Sequence, residues 1–189
     1  ESSDVDALLE KFDVDGSEEE LITTNPWTEA NQNISRGQNL LKINQQIGVL
    51  FETANTISET ESTTVESSRV SQAVAQAISA KAADATTISL AEDSSVNEIL
   101  ETALTSLNTI TAVGSDELTA ISQSISDVNQ VIASKGNDAT GSTVLQAVAN
   151  AQDDLQDSVK SLASSSISTS EFLAATNSEP DSDGDGLLN

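Results

Sequence analysis

Apolar residues recur along most of this chain at helical spacing. Leu40, Ile43, Ile47, Leu50, Ala54 and Ile57 follow one another at intervals of three and four. That spacing lines one face of an α-helix in the manner of a coiled-coil seam. Leu118, Ile121, Ile125, Val128 and Ile132 repeat the pattern. Val96, Ile99, Leu100, Ala103, Leu107 and Ile110 form another stripe. A fourth contains Val148, Ala151, Leu155, Val159 and Leu162, and an alanine-rich fifth contains Val70, Ala73, Val74, Ala77 and Ile78. No stretch alternates with the period of a strand, and Ile88–Leu90 is too short to be one. The expected fold is all-α. It is an elongated antiparallel bundle of about five main helices spanning residues 1–176, because helices of ~20 residues are ~30 Å long. The stripes themselves read as core.

Capping residues and glycines set the expected boundaries. A short helix covers 2–12, with Val5, Leu8, Leu9 and Phe12 on one face. Residues 13–24 read as an acidic loop. Asn25 caps a helix whose first turn holds Pro26, and Trp27 beside it is expected to anchor in the core. That helix runs to about residue 60. Gly37 and Gly48 weaken it by roughly 1 kcal/mol each relative to Ala, and mark a kink or a close helix approach. A second long helix covers 63–83, and 84–94 connects it to the next. Gly114-Ser115 divides 95–134 into two helices, with Gly114 in a left-handed position and Ser115 as the next cap. So short a break predicts an antiparallel hairpin. Lys135-Gly136-Asn137-Asp138 closes it, a helix follows at about 143–164, and a short one at 169–175 docks on the end of the bundle.

Charge and composition narrow the function. There are 31 acidic and 7 basic residues, for a formal net charge of −24. Long-range repulsion then argues against nucleic acid and anionic membrane surfaces as partners, and favours cations. No apolar run is long enough to cross a membrane, so no membrane insertion is expected. Without Cys or His there is no disulfide, no thiolate or imidazole metal ligand and no Ser–His–Asp arrangement. No phosphate-binding glycine loop is present, and no pairing among so many carboxylates stands out. A non-enzymatic protein is expected. With no Met, the N-terminus is expected to arise by processing. The aromatic residues are Trp27, Phe12, Phe51 and Phe172, so the core must be aliphatic. Asn33-Ile34-Ser35 has the N-glycosylation pattern, but its place inside a predicted helix argues against use.

The last residues carry defined site chemistry. Asp181, Asp183 and Asp185 alternate, Gly186 follows, and Leu187 and Asn189 complete Asp181-Ser182-Asp183-Gly184-Asp185-Gly186-Leu187-Leu188-Asn189. This is the ligand order of a calcium loop. Oxygen donors stand at positions 1, 3 and 5, glycine at 6, a backbone carbonyl at 7 and a polar group at 9. Position 12, the closing carboxylate, would lie past Asn189, so the chain is expected to be a fragment ending where a calcium-binding segment begins (177–189). The acidic stretch Asp13-Val14-Asp15-Gly16 fails the same test, since Gly16 at position 6 would put Lys11 at position 1. Glu18, Glu19 and Glu20 leave room only for an irregular site there.

Asp181–Asn189 resembles the start of a thrombospondin type 3 repeat. The acidic start, Asn25-Pro26-Trp27 and the helix through Asn44-Gln45-Gln46-Ile47 resemble a helical domain of large bacterial calcium-dependent surface adhesins. The resemblance implies an extracellular or cell-surface location and a structural or spacer role. Its partners would be calcium and neighbouring domains of the same polypeptide or surface assembly. Two other roles compete. In a self-assembling surface-layer or filament subunit, the seams would pair between chains. A ligand-binding adhesin head would need an exposed apolar or aromatic patch.

Overall fold

The computed structural model describes residues 4–60, 65–134 and 142–176, with the backbone alone described for Asp4 and 142–151. Among these residues the chain is entirely helical. The helices are α1 (Asp4–Lys11), α2 (Glu18–Thr23), α3 (Pro26–Asn31), α4 (Ser35–Thr60), α5 (Ser67–Asp84), α6 (Asp93–Leu107), α7 (Ser115–Ser134), α8 (Ser142–Ala163) and α9 (Thr169–Thr176). One 3₁₀ turn, Ile110–Ala112, lies between α6 and α7.

The five long helices share a single aliphatic core. Leu50 and Ile57 of α4, Val70 of α5, Leu104 of α6, Ile125 of α7 and Val159 of α8 are all buried within it. Helix α5 packs on α6, α6 on α7, α7 on α8 and α8 on α4, and α4 also touches α5, α6 and α7. This placement makes α4 broader in burial than its stripe. Val49 and Thr53, off the sequence seam, are fully buried, whereas Leu40, Ile43 and Ile47 are half-buried.

Helix α7 is enclosed on still more sides. Ser122, Ser124, Ser126 and Asn129 are buried beside its aliphatic stripe. Buried polar groups need partners, and each of these side chains makes at least one such bond, although Asn129 Oδ1 itself accepts none. Ser126 Oγ donates to the Ala91 carbonyl (2.8 Å), and Asn129 Nδ2 donates to the Leu90 carbonyl (2.7 Å). The Asn129 carbonyl in turn accepts from Gln46 Nε2 of α4 at 2.9 Å. The connection after α5 is therefore held by side chains of α7, with Ile88 and Leu90 buried beneath it. Its other side is held by α1, where Lys11 Nζ donates to the Ala85 carbonyl and Ile88 N–H to the Lys11 carbonyl, both at 2.7 Å.

Three boundaries and the burial of Trp27 differ from expectation. The acidic segment contains a helix, α2, because Ser17 and Glu20 form a capping box: Ser17 Oγ accepts from Glu20 N–H and Glu20 Oε2 from Ser17 N–H. The signature Ser-x-x-Glu is plain in the sequence, but the acidic run around it reads as solvated loop. The helix expected from 25 to 60 is broken at Asn33, which adopts a left-handed φ of 57°. Ile34 N–H bonds back to the Glu29 carbonyl and Asn33 N–H to the Ala30 carbonyl, the Schellman ending of a helix. The glycosylation pattern Asn33-Ile34-Ser35 thus falls on an exposed turn, not inside a helix. Trp27 is 44% exposed, so it does not anchor the core. Finally, α6 ends at Leu107 because Asn108 takes the left-handed position (φ 58°), and Gly114 serves only to precede α7, its N–H bonded to Glu117.

Two outcomes follow for α7. Asn129→Ala leaves the Leu90 carbonyl buried and unpaired, which should cost roughly 1–3 kcal/mol in chemical denaturation. Asp127, half-buried on α7, has its carboxyl pushed up by burial and then by Asp93. A raised folded value means the charged form is penalised in the native state, fully so above that value. The penalty is relieved as pH falls through it. Asp127→Asn should therefore stabilise at neutral pH, with the advantage over the wild type shrinking as pH falls toward the ordinary aspartate range.

Candidate functional site

The five residues expected to bind calcium, Asp181, Asp183, Asp185, Leu187 and Asn189, lie outside the described residues. Among the described residues no group of three or more acidic side chains is arranged to hold a metal ion. The donor set of 181–189 is all oxygen, which suits calcium chemically. The structure describes the element from which this segment departs. Helix α9 is packed against both α7 and α8. Phe172 is fully buried there, and at the last residue of α9 the Thr176 hydroxyl accepts from Ser124 Oγ of α7 at 2.8 Å. At the other end of α9, Glu171 Oε2 accepts from Ser168 N–H (2.8 Å) and Ser168 Oγ (2.7 Å). The backbone bond, then the hydroxyl, hold the Glu171 carboxyl below its usual range. Its contribution is present above the ordinary glutamate value and lost as pH falls through the lower one.

The second acidic locus, residues 13–20, is organised around a cation of the protein itself. Arg36, in the first turn of α4, pairs with Glu20 of α2 (Nη1 to Oε2, 3.0 Å) and with Glu29 of α3. The Glu29 pair is bidentate, Nε to Oε2 at 3.1 Å and Nη2 to Oε1, and Nη2 also reaches Thr24 Oγ1 at 3.3 Å. Hydrogen bonding to Glu29 raises the guanidinium further above its ordinary value. Glu29 is itself buried, and the fork supplies hydrogen-bond partners to both of its carboxylate oxygens. Gly16, at φ 136°, passes against the Arg36 side chain, where a Cβ would lie 3.0 Å from Cδ. Of the acids expected to help an irregular metal site, Glu20 is committed to Arg36 and to its capping box. Glu18 N–H is bonded to Asp6.

An apolar groove lies where α1 crosses α4 and α5. Its volume is about 430 Å³. Leu8 of α1, Phe12 just after it, Ile47 and Phe51 of α4, and Val74 and Ile78 of α5 form its walls. Asn44, Ser71, Ala75 and Ser79 stand at its exposed rim. Sequence reasoning missed it because the same residues lie on helical stripes, which read as core. What opens the groove is that α1 is short and covers only part of the α4–α5 seam.

Comparison with known proteins finds no matching family model, no curated relative and no similar solved structure.

The Arg36 node depends on the tight turn between α3 and α4. A Cβ on Gly37 would lie 2.6 Å from the Pro26 carbonyl oxygen and 2.8 Å from Ala30 N, and closer still to Glu29 Cβ. Gly48, by contrast, has only Gln152 Nε2 within reach, at 3.8 Å. Gly37→Ala should destabilise by about 1–3 kcal/mol through overpacking. Gly48→Ala should stabilise by about 0.5–1 kcal/mol through helix propensity. Thermal or denaturant unfolding of the two variants checks the opposite signs.

Proposed function

We propose that this chain is a non-enzymatic spacer module of an extracellular or surface-anchored adhesin-like protein, with a calcium-binding junction at its C-terminal side. In this reading the five long helices form an elongated antiparallel bundle that separates neighbouring domains. The observation that carries the proposal is the anchoring of α9. Phe172 is buried to 0% exposure and Thr176 is tied to Ser124, and only residues 177–180 separate Thr176 from Asp181. A calcium loop placed there would bear directly on a fixed element.

The proposed mechanism is electrostatic. Asp181, Asp183 and Asp185 repel one another when no cation lies among them. Calcium offsets that repulsion, with the Leu187 carbonyl and Asn189 completing the near side of the site. The direction in which the next domain leaves then becomes coupled to α9. The acidic surface supports the same setting. The net charge of −24 keeps such modules apart from one another and from anionic surfaces. No helix among the described residues is long and apolar enough to cross a membrane.

A chain extended past Asn189 through the closing carboxylate should bind calcium in calorimetry and become more resistant to protease. Asp183→Asn should weaken that binding. Absence of heat at millimolar calcium in the extended chain would sink the proposal.

A further inference from the structure

We propose that the groove between α1, α4 and α5 is a binding site for a small uncharged hydrophobic molecule with one polar head, such as an aliphatic alcohol. This goes beyond the spacer role and does not depend on calcium.

Size supports a small molecule. A volume of about 430 Å³ falls within the roughly 300–1,000 Å³ of ligand sites. The walls are short. On α4 the lining runs from Asn44 to Phe51, and on α5 from Ser71 to Ser79. Each is about two helical turns, or ~10–12 Å. A partner helix would project well past such a groove, whereas a chain of about ten carbons would fill it.

Chemistry selects the class. None of the described lining residues is ionisable. The walls offer aromatic and aliphatic surface from Phe12, Phe51, Ile47, Val74 and Ile78, and this surface stays partly wet without an occupant. The rim offers neutral groups, the Asn44 amide and the Ser71 and Ser79 hydroxyls, which donate and accept without requiring a charge. A carboxylate or sulfate head would find no cation in the lining and would enter the field of a chain with net charge −24. The nearby lysines are engaged elsewhere, Lys11 on the Ala85 carbonyl and Lys81 on Glu98. A cationic head would find no carboxylate in the lining to pair with. An uncharged head remains.

The test uses the full chain and Nile red, a neutral dye that brightens in apolar surroundings. Saturable one-to-one binding is expected, displaced by decanol and not by decanoate at the same concentration. Ala75→Trp should abolish it, because Ala75 is exposed at the rim and an indole there fills the groove from outside the core. Circular dichroism and the thermal midpoint of the variant should match the wild type. If Ala75→Trp does unfold the protein, Ser79→Phe at the same rim substitutes for it. Failure to bind dye saturably, or binding that survives the filled groove in a folded variant, overturns the site. Equal displacement by decanoate overturns the assignment of an uncharged ligand. A dimer in sedimentation that dissociates on Ala75→Trp would give the groove to a second copy of the chain and also overturn the proposal.

Discussion

Asn129 joins three parts of the structure through hydrogen bonds: α7, α4 and the connection after α5. Its side-chain amide holds the Leu90 carbonyl in the connection after α5, and its own carbonyl holds Gln46 of α4. A connection that crosses a core must have its backbone groups satisfied, because an unpaired buried carbonyl costs as much as several methylene contacts contribute. Helix α7 supplies those partners through Ser126 and Asn129, and can do so because it is buried on more than one side. The aliphatic faces of α4 and α6 pack against a helix that is itself fixed by polar contacts.

The same economy governs the charges. This chain has few cations and spends them on geometry. Arg36 gathers α2, α3 and the start of α4 through Glu20, Glu29 and Thr24. Lys11 ties α1 to the α5–α6 connection, and Lys81 links α5 to α6 through Glu98. Most of the other acids among the described residues are exposed, where mutual repulsion is weakened by water and salt; Asp127 is half-buried. An acidic surface is thus compatible with a stable interior, because the buried carboxylate of Glu29 is met by a guanidinium.

The two ends of the domain are built differently. Near the N-terminal side lie short helices and exposed apolar residues (Ile22, Trp27 and Ile34), and a groove between α1, α4 and α5. On the C-terminal side, α9 closes the core with Phe172 and is tied down at Thr176. A fixed C-terminal helix and a partly uncovered apolar groove thus lie at separate places in one fold.

The helical class was legible in the chain because a stripe at intervals of three and four has only one efficient way to bury itself. The long helices fall near the positions their stripes and caps indicate, and α9 was expected from Ser170–Ala175. The calcium-type pattern of 181–189 is a reading of another kind, since ligand order is a property of consecutive residues, and those residues lie outside the described ones. Local signals misled where two readings shared one composition. Ser17-Glu18-Glu19-Glu20 is both a capping box and an acidic run, and Asn33 is both a helical residue and a left-handed cap. The burial of Ser122, Ser124, Ser126 and Asn129, the exposure of Trp27, the fork of Arg36 and the groove beneath α1 were decided by tertiary structure alone. Each depends on which elements stand beside a residue, and periodicity along one helix carries no information about how many neighbours that helix has.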